Sequence, residues 1–374
     1  MSKRILLHIG RHKSGTTSLQ TFFSLNRRAL IERGIYYPET GVRNFGHHLI
    51  AEPFPMRRIG KLRARYSPLQ NSLVQALRDE IDSAPVGTIL ISSEAFQNMA
   101  PEVAASLFSG YDVHVIAYVR DQLSYLVSSY AQEVHADNNF TYTLEDYYRK
   151  VFSGAVDYMK FLSKWELHFA GNVSVKLFET ATMKNNSVVD DFCWNFLNID
   201  VSEGFQSPEA SNPSIKGDLI EYKRILNYFL PTELARKTRN KLYSRLPEFN
   251  QRFTDSQLFV TPTLMRLLQI DIGTSNQKLA KKYLQGVDLS GRIQQNSKKH
   301  SHCAELNAPA FYNLIDELLP LVPGLDDILQ ANLSTAEAER RIAEQNSWRR
   351  HRSRISLWQR FRLFARPLRR FVGI

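Results

Sequence analysis

"HIGRHKSGTTSLQ", residues 8–20, decides how the rest of the chain is read. A short apolar run, residues 4–9, precedes it and ends at Gly10. Beyond it, Thr16, Leu19, Phe22, Phe23, Asn26 and Leu30 lie close to one helical face, and Gly34 stands where a helix would stop. The expected elements are a buried strand, a tight turn and a helix. Such a turn gathers backbone N–H groups at the positive end of a helix dipole, which suits an anion. Ser14, Thr16, Thr17 and Ser18 add hydroxyl donors, and Lys13 adds a full positive charge. An ordinary turn with a threonine cap is the plainer alternative, but a cap calls for neither the lysine nor so many hydroxyls. Gly10 and Gly15 have the spacing of the nucleotide loop G-x-x-x-x-G-K-[ST], yet Thr16 follows Gly15 and the lysine comes before it.

The pattern of strand followed by helix repeats. Residues 88–91 (TILI) read as a strand ending in Ser92-Ser93-Glu94, and a helix is expected over 101–108. Residues 112–119 (DVHVIAYV) read as a strand, and Leu123, Leu126, Val127, Tyr130, Ala131 and Val134 mark an amphipathic helix after it. Residues 173–178 (VSVKLF) read as a further strand, with a helix over 190–197. The alternation predicts an α/β fold: a P-loop-type, mainly parallel sheet flanked by helices. The loops at 10–17, 92–94 and 120–128 should then gather at the carboxyl edge of the sheet, where ligands bind. Past Asn212-Pro213-Ser214 the periodicity turns helical, over 219–230, 231–242 and 264–284. The expected division is an α/β core with the anion site at 1–210, a helical extension packed on the core at 211–334, and a basic aromatic tail at 335–374.

The chain has 374 residues, 43% of them hydrophobic, with 22 Phe and 16 Tyr, so general disorder is excluded. No apolar run approaches the roughly 20 residues that span a bilayer. The N-terminus opens like a signal peptide, but Arg11, His12 and Lys13 interrupt it too early. With only Cys193 and Cys303, a reducing, cytoplasmic setting is the simpler expectation. The histidines and cysteines show no ligand spacing, so no metal is expected. Net charge is +11, but nine arginines fall within residues 349–370 and the rest of the chain is close to neutral. A near-neutral body argues against nucleic acid. The stretch "WRRHRSRISLWQRFRLFARPLRRF", residues 348–371, interleaves those arginines with Trp348, Trp358, Phe361, Leu363, Phe364, Leu368 and Phe371. As a helix broken near Pro367 it would suit an anionic membrane surface, so residues 348–374 are expected to bind one from the cytoplasmic side.

The order Lys13-Ser14-Gly15-Thr16-Thr17 after a strand resembles the 5′-phosphosulfate loop of the sulfotransferases. A second stretch carries the likeness further. "RDQLSYLVSSY", residues 120–130, is similar to the family pattern R-D-P-x-x-R-x-x-S-x-Y. Arg120, Asp121, Ser128 and Tyr130 match, while Gln122 stands for the proline and Tyr125 for the second arginine. "VKLFET" (175–180) with "VVDDFCWNFLNID" (188–200) is similar to the end of many sulfotransferase cores. Asn212, Ser214 and "SNQKLAKKYLQG" (275–286) resemble a bacterial, glycan-acting branch. The specific motifs cover 5–20 and 118–130, and the looser likeness covers about 1–285.

The resemblance implies a donor, 3′-phosphoadenosine 5′-phosphosulfate (PAPS), and an acceptor hydroxyl on a glycan or glycolipid. It implies that Lys13 acts on the leaving oxygen and that Arg11, His12, Ser14, Gly15, Thr16 and Thr17 hold the 5′-phosphate with it. Arg120 and Ser128 would hold the 3′-phosphate. It implies no metal. The acceptor also needs a base. Glu94, at the carboxyl edge after TILIS, is the first candidate. His48, with His47, is the second, and Glu39 is the third. Glu94 as a simple helix-start acid and the histidines as packed loop residues are the alternatives. Two rival functions stand beside this one: a P-loop kinase or NTPase, and a non-enzymatic membrane- or nucleic-acid-binding protein. The missing G-K-[ST] step opposes the first, and the near-neutral body opposes the second.

Overall fold

The structure, a computed structural model, describes residues 3–10, 14–51, 68–201, 204–208, 214–253, 257–300 and 305–353. The chain forms two compact units, each assembled from separate stretches. The first comprises residues 1–121, 157–211 and 273–289, and the second comprises 122–156, 212–272 and 290–374.

The first unit is built on five parallel strands: β1 (Arg4–His8), β2 (Ile35–Tyr36), β3 (Thr88–Ser92), β4 (Asp112–Val119) and β5 (Val173–Leu177). Their order is β2-β3-β1-β4-β5. The α/β expectation therefore holds. β1 lies at the centre, buried along Ile5 to His8, as an apolar run between two faces of helices requires. From β1 the chain moves towards the β2 side, and from β4 it moves towards β5. The carboxyl ends of β1 and β4 are thus a topological switch point, where open α/β sheets take their ligands. One core layer joins Leu6, Leu90, Ile116 and Tyr118 of the sheet to Leu19, Phe22 and Phe23 of the helix Thr16–Leu25 and to Phe192. Burying each such phenylalanine contributes about 1.5–3 kcal/mol before packing and entropy are counted.

The predicted strands at 88–91, 112–119 and 173–178 and the helix from Thr16 appear within a residue or two. The helix expected over 190–197 is an α-helical turn, Val188–Phe192, that widens into a π-turn, Cys193–Leu197. The periodic stretch 264–284 is two helices, Pro262–Ile272 and Ser275–Tyr283, parted at Gly273-Thr274. They belong to different units, so one apolar period covers two separate packings.

The second unit is helical. Its helix Asp218–Leu226 is buried along its whole length, charged residues included. Arg224 Nε donates to Glu221 Oε2 at 2.8 Å, and Arg349 pairs with Asp218 at 2.7 Å. Arg349, the first of the nine arginines near the C-terminus, is therefore buried on the helix Thr335–Ser353. Residues 354–374, where most of the membrane-surface expectation falls, lie outside the described residues. Among the described residues no helix is long and apolar enough to cross a membrane.

Lys223, on the same buried helix, is fully enclosed. Its ammonium donates to Asn138 Oδ1 at 3.0 Å and to Asn227 Oδ1. Asn227 in turn donates to the carbonyls of Val134, Asp137 and Phe140. Burial pulls the Lys223 pKa down from 10.5 to about 7, with the charge of Asp137 opposing. Between those two values the unfolded chain binds more protons than the folded one. Stability should therefore rise with pH across that window, by up to about 1.4 kcal/mol per pH unit. Urea unfolding at several pH values is expected to show this slope, and Lys223→Met should flatten it. An equal slope in both proteins would mean that the lysine stays charged in the fold.

Candidate active site

The site is built on the carboxyl ends of β1, β3 and β4. Past β1 the ladder continues for one step on each side: Ile9 N–H donates to Ile116 O, and Ser93 N–H donates to His8 O. The chain then turns sharply at Gly10, where φ is 50°. A Cβ there would stand 3.0 Å from Glu94 Cα and 2.7 Å from Thr16 Cγ2. Only glycine lets the turn pass between the end of β3 and the start of the helix Thr16–Leu25.

Gly15 holds the N-cap position of that helix with φ at 75°. It has no side chain to cap the first amides, and a Cβ would meet the Phe178 ring at 2.7 Å and Val188 at 2.9 Å. The first-turn N–H groups thus lack a side-chain cap, which is how helix N-termini receive phosphates. Ser14 and Thr16 are buried here and Thr17 is exposed. Arg11, His12 and Lys13 lie outside the described residues.

Phe178, just past β5, joins this loop to Arg120. The Arg120 guanidinium lies over its ring, 5.7 Å from the centroid. Tyr158 OH donates to Arg120 O at 2.9 Å and fixes the backbone. Burial lowers the Arg120 pKa, with the charges of Asp121 and Tyr158 opposing; the group remains a cation at any physiological pH. Beneath, Tyr118 OH donates to the buried Asp191 at 2.6 Å, and Asp191 also accepts from the Lys184 backbone at 3.4 Å. These bonds anchor the helix Val188–Phe192, whose Val188 packs near Gly15.

Ser128 lies half-buried on the helix Gln122–Ala136, which opens the second unit, whereas Arg120 belongs to the first. Two departures from the family pattern have structural roles in that helix. Tyr125 is buried with its ring 4.8 Å from that of Phe152, and Gln122 Nε2 donates to Val156 O at 3.3 Å.

Glu94 stands half-buried at the end of β3, and its Oε2 accepts from Gln20 Nε2 at 2.8 Å. Among the described residues Gln20 is the one side-chain donor to this carboxylate. Ser93 caps the following turn by accepting the Ala95 amide at 3.1 Å. Its hydroxyl also meets His48 Nδ1 at 2.8 Å. When Ser93 donates in that pair, His48 Nε2 carries the hydrogen, so His48 can donate to a bound oxygen but cannot take a proton from it.

His47 is a packing residue. It is enclosed and receives the Ser92 amide at Nδ1, 3.2 Å away, while Nε2 donates to Pro38 O at 3.1 Å. Burial pulls its pKa down to about 4. His8 is alike: its Nδ1 meets Ser92 Oγ at 2.8 Å, its ring lies against Phe192, and burial lowers its pKa to about 4. Glu39 is exposed, and its backbone amide donates to Glu80 at 2.7 Å.

Gln20 and Phe178 escape the sequence reading. Gln20 has a signal, since it is a polar residue one helical turn after Thr16 on the buried stripe. Phe178 has a weaker one, since it follows a strand at the carboxyl edge.

No family model matches the chain, and no curated protein does. Among solved structures, a sulfotransferase from Alicyclobacillus acidocaldarius aligns over 57% of this chain and 88% of its own, with 19% identity and a TM-score of 0.39.

Proposed function

We propose that the protein transfers a sulfuryl group from PAPS to a hydroxyl of a glycan or glycolipid. The acceptor oxygen attacks sulfur, the bond from sulfur to the 5′-phosphate oxygen breaks, and Glu94 takes the hydroxyl proton. The products are a sulfate ester and adenosine 3′,5′-bisphosphate. Positioning and charge stabilisation dominate such a step. The uncapped amides after Gly15, with Ser14, Thr16 and Thr17, receive the 5′-phosphate beside Lys13. Arg120 receives the 3′-phosphate. Gln20 orients the base.

The observation that carries this reading is the Phe178 ring. It touches the loop at Gly15 and supports the Arg120 guanidinium. One ring thus lies near both the uncapped helix start and a partly desolvated cation, an arrangement that would suit a donor with two separate phosphates.

The test is nucleotide selectivity. Adenosine 3′,5′-bisphosphate should raise the melting temperature, and ATP with magnesium should not. In calorimetry, Arg120→Ala should weaken the bisphosphate by roughly ten- to a hundredfold, the worth of a charge-assisted contact. Adenosine 5′-phosphate, lacking the 3′ group, should change little. Equal losses for both nucleotides would remove Arg120 from the 3′-phosphate.

A further inference from the structure

The turn at residues 43–46 is strained where it is most exposed. Arg43 N–H donates to Gly46 O at 2.8 Å, and Gly46 N–H donates to Arg43 O at 3.2 Å. Between them Asn44 and Phe45 have φ of 49° and 73°. Both central residues of this two-residue turn are left-handed, a conformation suited to asparagine and glycine and unfavourable for a phenylalanine. Burial does not compensate Phe45, which is 45% exposed. The conformation is imposed from below instead. Tyr37, enclosed against Phe23 and His47, donates its hydroxyl to Phe45 O at 2.8 Å.

The next residue joins the turn to the candidate base. A Cβ on Gly46 would stand 2.7 Å from the Gln20 amide and 2.9 Å from His48 Nε2. Gln20 is the donor to Glu94. An exposed aromatic ring is therefore held, at a cost in backbone strain, one residue from the groups around the proposed proton acceptor. Strain of this kind persists where the surroundings enforce it, and it clusters at ligand sites.

We infer that Phe45 is the acceptor platform, and that the acceptor it takes is a pyranose ring. The inference rests on the sulfuryl-transfer reading and adds the acceptor's binding mode. A pyranose has a flat C–H face and a rim of hydroxyls. Phe45 offers one flat apolar surface, and the next residue, Gly46, packs on the buried Gln20 and His48, of which Gln20 holds the half-buried Glu94 carboxylate. A phenol or other flat apolar acceptor would call for an enclosing apolar pocket, whereas Phe45 stands at an open turn.

The test uses the full-length protein, a printed array of pyranose glycans, a panel of simple phenols including 4-nitrophenol and 2-naphthol, and PAPS labelled in its sulfate. The wild-type protein should label glycans and leave the phenols unlabelled. On the best glycan, Phe45→Ala and Phe45→Gly should each raise KM tenfold or more, and Phe45→Trp should restore most of the affinity. Binding of adenosine 3′,5′-bisphosphate should stay unchanged in all three. Phe45→Gly should also melt higher, by about 2 °C, because it relieves the left-handed strain. A catalytic loss paired with a gain in stability separates a platform from a structural residue. An unchanged KM in Phe45→Gly, or a lower melting temperature, overturns the platform and leaves the transfer reading standing. Labelled phenols without labelled glycans overturn the pyranose assignment. Failure of the wild type to bind adenosine 3′,5′-bisphosphate overturns the transfer reading itself, and the platform with it.

Discussion

Lys13→Ala is expected to lower turnover a hundredfold or more while the protein stays folded. In sequence Lys13 falls between Gly10 and Gly15; Gly10 sits close against Glu94 and Thr16, and Gly15 close against Phe178 and Val188. In the proposed reading Lys13 supplies the charge that meets the donor's leaving oxygen. As sulfur leaves the 5′-phosphate, negative charge grows on the departing oxygen. A cation placed there is worth more in the transition state than in the bound donor. Its loss should cost about 3 kcal/mol, or two powers of ten in rate. The effect should fall on kcat, with a smaller change in donor affinity, because the amide and arginine partners proposed for the phosphates remain. Single-turnover measurements with the melting temperature as a folding control check this. Lys13→Arg, which keeps the charge but changes its shape, should retain part of the rate. Near-normal turnover in a folded Lys13→Ala protein would move the donor's reacting end away from this loop.

Much of the fold was legible because its strands are of the kind that periodicity detects. β1, β3 and β4 are largely apolar runs, β5 alternates apolar and polar residues, and the first three end at the residues proposed for the chemistry. β2 was not legible, since a strand of two residues, Ile35–Tyr36, leaves no period to read. The interleaving of two units is likewise no property of any local window. The break at Gly273-Thr274 shows why: helical periodicity runs on through it although the two helices pack in different units.

The site was legible to the extent that it follows the strand ends. Glu94 follows from that rule, whereas Arg120 needed the family pattern as well. What the sequence withheld are the contacts between elements. Nothing in the chain announces that Phe178 lies against both Gly15 and Arg120, or that Gln20 holds Glu94, because those residues are distant in sequence and meet only through the sheet. Tyr125 is the reverse case. Where the family pattern has an arginine, this chain has a ring in the core against Phe152, so packing explains the position. Lys223 is equally silent in sequence, an ordinary helical lysine until the fold encloses it.

Glu94→Gln should lower turnover by about a hundredfold to ten-thousandfold, the usual worth of a positioned general base. The substitution is chosen for what it preserves. Glutamine has the shape of glutamate, and its carbonyl can still accept from Gln20 Nε2, which now meets Glu94 Oε2 at 2.8 Å. The turn after β3, capped by Ser93, does not depend on the charge. What is lost is the oxygen able to take the acceptor's proton as the bond to sulfur forms. Donor affinity should therefore hold while kcat falls. His48 provides the internal control. When Ser93 donates to its Nδ1, its other nitrogen carries a hydrogen, so His48→Asn should weaken acceptor binding while turnover at saturating acceptor stays near wild type. The two variants thus separate proton removal from orientation. A Glu94→Gln protein within about threefold of wild type would transfer the base to His48 and reverse the roles assigned around Ser93.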